Sequence, residues 1–515
     1  MTMGEHMRQW QKDELISILQ TIQKAHGEIR KYAKNGNEVL ACKLVEECQD
    51  CAIQVGNIIE DIEKNSIGTI KSIEEYCEYL YELYNLLNGR EAEKTKSTFN
   101  ILDAKLSGIL QDIRSIKTKR EVVFMPYKAS MWDSMDSVWN QAVEDKDNEV
   151  FVIPLPYFER NTDFSFGKLY YEGNDFPRYV TVTKWNEYDL QVHRPDIIFI
   201  HNPYDRCNTI TSVMPQFYSS ELIKYTGTLV YVPYFLFPGK IEKHLIDVPG
   251  VLYADYICVQ NEAVQNKYIE VIQERTNASI ESIRNVLLPL GTPKTDMLIK
   301  YREEYAKQKS NITDKKIVFF NTNVSLILNN SYEFINNMHR IFNKFREYGD
   351  EYYVIWREHP LSESTIRSMR PEMLQDYMLL KREFEEQGLG MIDKHPDPYY
   401  AMCISDCYFG SGGSLIPIYG ILGNPMMITA YKFPDGISKE EITLQDFITS
   451  SRNRPYYNEL NSNSLDIFLN YQDELKKYSA KNIEIIKGIT NNIDGTVGTK
   501  LYKAIIERIE EQKHE

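Results

Sequence analysis

No run of about eighteen apolar residues occurs in this chain, which excludes a conventional membrane-spanning helix. The polar first residues lack the charged, apolar and small-residue blocks of a secretory signal, so a reducing, cytoplasmic setting is expected. Cations are short as well: 59 Lys and Arg stand against 74 Asp and Glu, a formal net charge of −15. No basic stripe breaks that balance. A nucleic-acid partner, which needs a basic footprint to displace counterions from phosphates, is not expected. Cysteines number 8, and Cys48 and Cys51 form a CxxC with no second pair to complete a zinc site. Neither a metal nor another cofactor is expected, and the two thiols read as free groups on a helix.

What the chain has is length, 515 residues, enough for three domains with a core each. Tyr is frequent, 36 against 21 Phe, so many rings carry a hydroxyl suited to a cleft or an interface. Residues 8–118 read as helix throughout. Leu15, Ile18, Leu19 and Ile22 recur at three- and four-residue spacing, and the same period returns over 39–62, 73–87 and 94–116. Asn35-Gly36-Asn37, residues 65–68 and Asn88-Gly89 interrupt it with the left-handed caps that end helices. The predicted object is a helical bundle or long hairpin over 1–118, its apolar stripe a core or the seam of a homo-oligomer.

The texture changes after Lys117-Thr118-Lys119-Arg120. Short apolar runs at 121–126, 150–154, 196–200, 227–231, 256–259 and 286–290 alternate with helical or polar segments, including a helix over 131–145. Such alternation predicts a parallel sheet covered on both faces. A charged helix over 295–309 ends in Ser310-Asn311, and the alternation restarts. Strands are expected at 316–321, 351–356, 391–392, 403–404, 407–409 and 425–429, with helices at 331–348, 371–387, 414–422 and from Ser464 onward. The expected organisation is α/β: two Rossmann-like domains over 119–310 and 311–515, behind an all-α N-terminal domain.

In open parallel sheets ligands bind beyond the carboxyl ends of the strands, so the residues after each strand are the candidates. The strongest are Gly410, Ser411, Gly412, Gly413 and Ser414, between a strand and a helix. Glycine there lets backbone N–H groups approach a phosphate, and the serines add hydroxyl donors. No Lys or Arg belongs to this loop, which excludes a P-loop. Arg357, Glu358, His359 and Pro360 follow the strand over 351–356. Arg357 offers a planar fork for phosphate, and His359 a donor to a diphosphate or a general acid. Asn321 ends the first strand of the same unit.

In the first unit His201 and Asp205 follow 196–200, and a His beside carboxylates can take the proton of an acceptor hydroxyl. Tyr234 lies in the apolar segment 231–239, suited to floor a cleft. Lys294 is a candidate phosphate contact, with Asp296 an acid at a helix start. The plain alternatives are a Ser cap on a glycine turn and ordinary packing for the rest.

Three groups of residues, in order over roughly 195–430, resemble segments of the CDP-glycerol glycerophosphotransferase family. Gly291-Thr292-Pro293-Lys294-Thr295-Asp296 resembles its Gly-x-Pro-Arg-x-Asp, and Arg357-Glu358-His359-Pro360 its Arg-x-His-Pro. Ser405-Asp406, Gly410–Ser414 and Leu422-Gly423-Asn424-Pro425 resemble its Ser-Asp, Ser-Ser and Leu-Gly-x-Pro run. The resemblance implies a GT-B-like pair of Rossmann-like domains and an enzyme of transfer. A glycerol phosphate, related polyol phosphate or sugar would pass from a CDP- or other nucleotide-activated donor to a cell-envelope polymer or glycan acceptor such as a teichoic acid. It further implies that His359, Ser411 and Ser414 hold the donor diphosphate with Arg357 and Lys294 nearby, and that the work is done peripherally at the inner membrane face. Residues 1–118 lie outside the resemblance, and no strongly basic amphipathic helix stands out as an anchor.

One segment departs from the family. Its Trp-His-Gly-Thr, whose His is the expected base, has no counterpart in 232–239, so His201 or His244 would have to replace it. The second Asp expected before the paired serines is replaced by Phe409-Gly410. Two other readings therefore stand beside transfer: a nucleotide-sugar epimerase using Asp205, Glu358 and His201, and a non-catalytic assembly protein with a vestigial cleft and a partner-binding helical arm.

Overall fold

The structure is a computed structural model and describes residues 6–63, 66–89, 91–161, 163–237, 241–330, 332–359, 362–395, 397–429, 457–458, 460–470, 472–476 and 479–512. Pro238, Gly239 and Pro360, singled out in the sequence, lie outside the described residues. Four helices open the chain: α1 (Gln9–Lys34), α2 (Glu38–Ile62), α3 (Ile67–Gly89) and α4 (Ala92–Ser115). Asn37 caps α2 by accepting the Leu40 N–H, and Gly36 takes the left-handed φ of 71° that the turn before it requires. Leu15, Leu19 and Ile22 pack with Val45, Leu80 and Leu106 in one core, so the apolar stripe is buried inside the bundle itself. Cys48 is buried there too, and burial pushes its thiol up to about 12, which leaves it inert at neutral pH.

The strands are β1 (Arg120–Met125), β2 (Asn148–Val152), β3 (Tyr157–Arg160), β4 (Phe166–Tyr170), β5 (Ile197–Ile200), β6 (Thr211–Val213), β7 (Thr228–Tyr231), β8 (Tyr256–Cys258) and β9 (Leu287–Leu288). A second set follows: β10 (Lys316–Thr322), β11 (Tyr352–Glu358), β12 (Gly390–Ile392), β13 (Cys407–Ser411), β14 (Met426–Thr429) and β15 (Tyr457–Asn458). Among the described residues these form two six-stranded parallel sheets, ordered β2-β1-β5-β7-β8-β9 and β12-β11-β10-β13-β14-β15. Strand order reverses between β1 and β5 in the first sheet and between β10 and β13 in the second, which opens a crevice at each reversal. Successive side chains feed opposite faces. Phe320, Trp356 and Phe409 enter one core and Phe319, Ile355 and Tyr408 the other, which is why these strands read as unbroken apolar runs. The architecture is the expected one, an all-α bundle followed by a GT-B-like pair of Rossmann-like units.

The bundle stands on the far edge of the first sheet. Arg8 is buried and paired with Glu121 and Glu149, and Lys119 N–H donates to Met7 O at 3.1 Å. Glu121 also accepts from Tyr188 and lies 2.9 Å from His193 Nδ1. All of these sit at the start of β1, opposite the carboxyl ends.

Several details differ from the sequence reading. Cys403-Ile404 closes a helix, Tyr399–Ile404, and is not a strand. The segment 131–145 divides into a 3-10 turn, Ala129–Ser134, and a helix, Asp136–Glu144. An antiparallel sheet, β4-β3-β6, was not anticipated, because β4 is largely exposed and carries no continuous apolar signal. The last helix, Val497–Gln512, returns to the first sheet, although 311–515 reads as one continuing unit. Val497, Leu501, Tyr502 and Ile505 pack there with Val122, Val138 and Val152. Asp296 caps this helix from a distance, accepting from Gly498 N–H at 2.7 Å and Val497 N–H at 3.2 Å. No helix among the described residues is long and apolar enough to cross a membrane.

Candidate functional site

The reversal between β10 and β13 assembles most of the second-unit candidates. Asn321 at the end of β10 is in register with Arg357 on β11 and with Gly410 on β13. Neighbouring strands lie about 4.8 Å apart, so these three positions form a row along one edge. Asn321 Nδ2 donates to Arg357 O at 3.1 Å and its Oδ1 takes the Tyr408 hydroxyl at 3.3 Å, which fixes the row. Gly410 has φ of 145°, and a Cβ there would meet Asn321 O at 2.1 Å, so glycine alone permits this approach.

The glycine-rich segment itself is built differently from a cradle at a long helix. Ser411 completes β13, is buried, and accepts the Asn323 N–H at 2.9 Å. Asn323 in turn donates to Gly412 O at 3.3 Å and caps the next helix through Leu326 N–H at 3.0 Å. Ser411 therefore holds the crevice wall together. Ser414 and Gly413 are exposed at the crevice mouth, ahead of a helix of only 6 residues, Leu415–Gly420, whose dipole adds little. On β14, Thr429 stands in register with Ser411, and its buried Oγ1 has no hydrogen-bond partner among the described residues.

Arg357 is not an open fork. Its buried guanidinium pairs with Asp393 at 2.5 Å and donates to His395 O and Asp397 O, each at 3.1 Å, so it clamps the loop that follows β12. Glu358 is engaged by Tyr377 and by Lys381 at 2.6 Å. His359 follows at the rim of the crevice. Its backbone N–H donates to Thr322 O at 3.0 Å, which keeps it at the carboxyl end of β10. Loss of hydration and the Arg357 cation lower its pKa, which favours the neutral ring at pH 7.

The first-unit candidates His201, Asp205 and Tyr234 fall beyond the carboxyl ends of β5 and β7, but they do not form a base. His201 is fully buried. Its Nε2 accepts Tyr127 N–H at 3.0 Å, and Nδ1 lies 3.2 Å from Ser134 Oγ, so both nitrogens are occupied. Burial, with Lys294 nearby, pushes its pKa down to about 3. Asp205 is buried with φ of 47° and accepts from Ser219 N–H at 3.0 Å and Ser219 Oγ at 2.6 Å. Burial outweighs these bonds and raises it to about 6. Tyr234 packs edge-on against His201, ring centroids 6.0 Å apart, and serves as a wall. His244 lies in a separate 3-10 turn, Lys243–Leu245.

Where the two carboxyl edges meet, the structure adds residues that the sequence did not single out. Lys294 pairs with buried Asp133, which also accepts the Tyr399 hydroxyl at 2.8 Å; that hydroxyl lies 3.1 Å from Lys294 O. Asp133 follows β1, Tyr399 follows β12, and Lys294 begins the helix Pro293–Ala306 between the sheets. Lys294 is thus a junction residue, already neutralised. Asp133 Oδ1 is buried with no hydrogen-bond partner among the described residues. Reading 131–145 as one helix hid Asp133. Its signal was the Trp132-Asp133-Ser134 run shortly after a strand end. No group of three or more His, Cys, Asp or Glu among the described residues is arranged to hold a metal.

No protein-family model matches the chain, and no curated relative does. Among solved structures it is similar to the wall teichoic acid polymerase TagF at 14% identity, covering 86% of this chain and 99% of that one, with a TM-score of 0.47. A TagF variant with CDPG aligns at 16% identity over 79% of this chain and 94% of that one, TM-score 0.47. The UDP-GlcNAc 2-epimerase of Neisseria meningitidis bound to UDP-GlcNAc aligns at 10% identity over 75% and 100%, TM-score 0.45. At such identities and scores the likeness says nothing of substrate.

Proposed function

We propose that this chain is a transferase that moves a glycerol phosphate, related polyol phosphate or sugar from a CDP- or other nucleotide-activated donor to a cell-envelope polymer or glycan. The observation that carries the reading is the row Arg357–Asn321–Gly410 at the strand reversal of the second sheet. There parts of two of the three segments that resemble the glycerophosphotransferase family, Arg357–His359 and Gly410–Ser414, lie beside a strand reversal of the kind where open parallel sheets bind ligands. Exposed His359 and Ser414, with backbone N–H groups of Gly412 and Gly413, take the donor diphosphate. Arg357 and Ser411 shape the pocket from behind.

With a polyol-phosphate donor, the acceptor hydroxyl oxygen attacks the phosphorus remote from the nucleoside. A new P–O bond forms, the P–O bond to the nucleoside monophosphate breaks, and its electron pair leaves with that product. The hydroxyl proton needs an acceptor on the first-unit side. His201 has no nitrogen left for it, so we assign the proton to Asp133 Oδ1. The same reading has the enzyme act in the cytoplasm, peripherally at the inner membrane face, without a metal or cofactor. The epimerase alternative would need Asp205, Glu358 and His201 as acid and base, and each is engaged in internal bonds.

CDP-glycerol and UDP-linked sugars should be screened by thermal shift. At least one raises Tm of the wild type, and His359→Ala loses that rise; no shift with any of them sinks the reading. Asp133→Asn should keep the donor-induced rise yet slow acceptor-dependent release of the nucleoside monophosphate by about 100-fold or more. Transfer within tenfold of wild type would remove Asp133 as the proton acceptor while leaving donor binding intact.

A further inference from the structure

The bundle holds a cavity of its own, of about 760 Å³, at the end remote from the sheets. Arg30 and Lys34 line it from the last turns of α1, about 35 Å along that helix from the Arg8 junction at 1.5 Å per residue. Its volume lies within the 300–1,000 Å³ or so usual for small-molecule pockets. The lining is divided by chemistry. Leu86, Leu87 and Phe99 make an apolar floor, each nearly buried. Around it stand three cations, Arg30, Lys34 and Lys96, and two carboxylates, Glu38 and Asp103, a local excess of positive charge in a chain whose formal net charge is −15.

A second, independent feature leads to the same place. His26 is fully buried in the bundle core, between Tyr76 Oη at 2.7 Å from Nε2 and Asp103 Oδ1 at 2.8 Å from Nδ1. With the ring neutral, Tyr76 donates to Nε2 and Nδ1–H donates to Asp103. Asp103 accepts from Arg30, and the guanidinium carbon lies 4.7 Å from the centre of the Phe99 ring. A polar chain through an apolar core is costly unless every member is satisfied, and this one is satisfied up to its last member. Its effect is to fix a cation at the cavity wall. Only Nη2 of Arg30 has a partner among the described residues, which leaves Nη1 and Nε for a ligand. Val39 and Leu40, just beyond the lining residue Glu38, are 81% and 42% exposed, so the cavity opens beside an apolar lip.

We propose that this cavity binds an anionic amphiphile, its phosphate or carboxylate held by Arg30, Lys34 and Lys96 and its hydrocarbon tail laid on Leu86, Leu87 and Phe99. The site is separate from the crevice between the sheets and does not rest on the transferase reading. A neutral amphiphile would leave Lys34 and Lys96 without a counter-charge, and a small hydrophilic anion would leave the floor uncovered.

The probe is dodecyl phosphate below its micelle concentration, titrated calorimetrically into the full-length protein, with dodecyl maltoside as the uncharged tail control. Saturable one-to-one binding of the phosphate is expected, with dodecyl maltoside at least tenfold weaker. The double variant Lys34→Glu/Lys96→Glu should lose at least tenfold in affinity, Asn100→Trp should close the cavity mouth, and Lys24→Glu, elsewhere on α1, should bind as wild type. These positions are exposed, so an unchanged Tm confirms that the variants fold. Equal binding of both detergents, or equal loss in Lys24→Glu, overturns the proposal. Vesicles of phosphatidylglycerol then identify the source. Binding to vesicles as well as to the monomer indicates a membrane lipid, and binding to the monomer alone a free amphiphile. Binding to vesicles without the monomer overturns the cavity as the site.

Discussion

His201 and Asp205 sit five residues or fewer beyond the same strand, and burial moves their titrations in ways that oppose each other. The folded His201 titrates at about 3 against an ordinary 6.5, so between those values the unfolded chain holds a proton that the folded chain does not. Its contribution is present above 6.5 and is lost as pH falls through the window. Asp205 titrates at about 6 against 3.8, so its contribution is present below 3.8 and is lost as pH rises through 6. Between about 3.8 and 6 the two slopes partly cancel. His201→Gln, whose amide can still accept Tyr127 N–H, removes only the histidine's share. From about pH 6 to about pH 4 its unfolding free energy should fall less steeply than that of wild type, by up to about 1.4 kcal/mol per pH unit. Urea unfolding at several pH values measures this, and parallel slopes would mean the imidazole is hydrated in the folded state. The sequence showed which residues follow the strands, and Asn321, Gly410 and His359 were legible on that ground. Their partners were not. Nothing in the pattern announces that Arg357 meets Asp393, 36 residues on, or that both nitrogens of His201 are bonded.

At the level of elements the strand reversals follow from alternation in the sequence, but the junction between the sheets does not. The helix Pro293–Ala306 was legible by its charge, as a segment over 295–309, without its first two residues. That its first turn is pinned on both sides, to Asp133 after β1 and Tyr399 after β12, depends on contacts 161 and 105 residues apart. Loops and short helices vary independently of such partners, so periodicity cannot register them. Tyr399→Phe deletes one hydroxyl and no packing surface. It leaves Lys294 O and one Asp133 interaction unmatched in a buried place, and should cost about 1–3 kcal/mol. A denaturant midpoint lowered to that extent, with the m-value unchanged, is the expected result. An unchanged midpoint would mean that water reaches the junction and replaces the hydroxyl.

For the whole molecule, position along the chain and position in space diverge at both ends. The bundle is large yet meets the body at the amino edge of β1, whereas the last helix is short yet covers Val122 and Val152 of the first sheet and Val138 of the helix Asp136–Glu144. Two truncations should therefore have opposite outcomes. Removing residues 1–115 takes away Arg8 and leaves Glu121 buried among Tyr188 and His193 without its cation. A buried charge stripped of its partner costs about 3–5 kcal/mol, so the truncation should be combined with Glu121→Gln. That shortened chain is expected to fold and to keep whatever donor-induced rise in Tm the full chain shows, because the crevice lies at the opposite edge of the sheets. Removing residues 497–515 strips Leu501, Tyr502 and Ile505 from the first sheet and leaves Asp296 without the N–H groups it caps. Each lost core side chain is worth about 1.5–3 kcal/mol, so three exhaust much of a stability of about 5–15 kcal/mol. The first unit should then lose protection in hydrogen exchange across β1, β2 and β5 while the bundle keeps its own. Full protection of those strands without the last helix would show that its return to the first sheet is incidental to the fold.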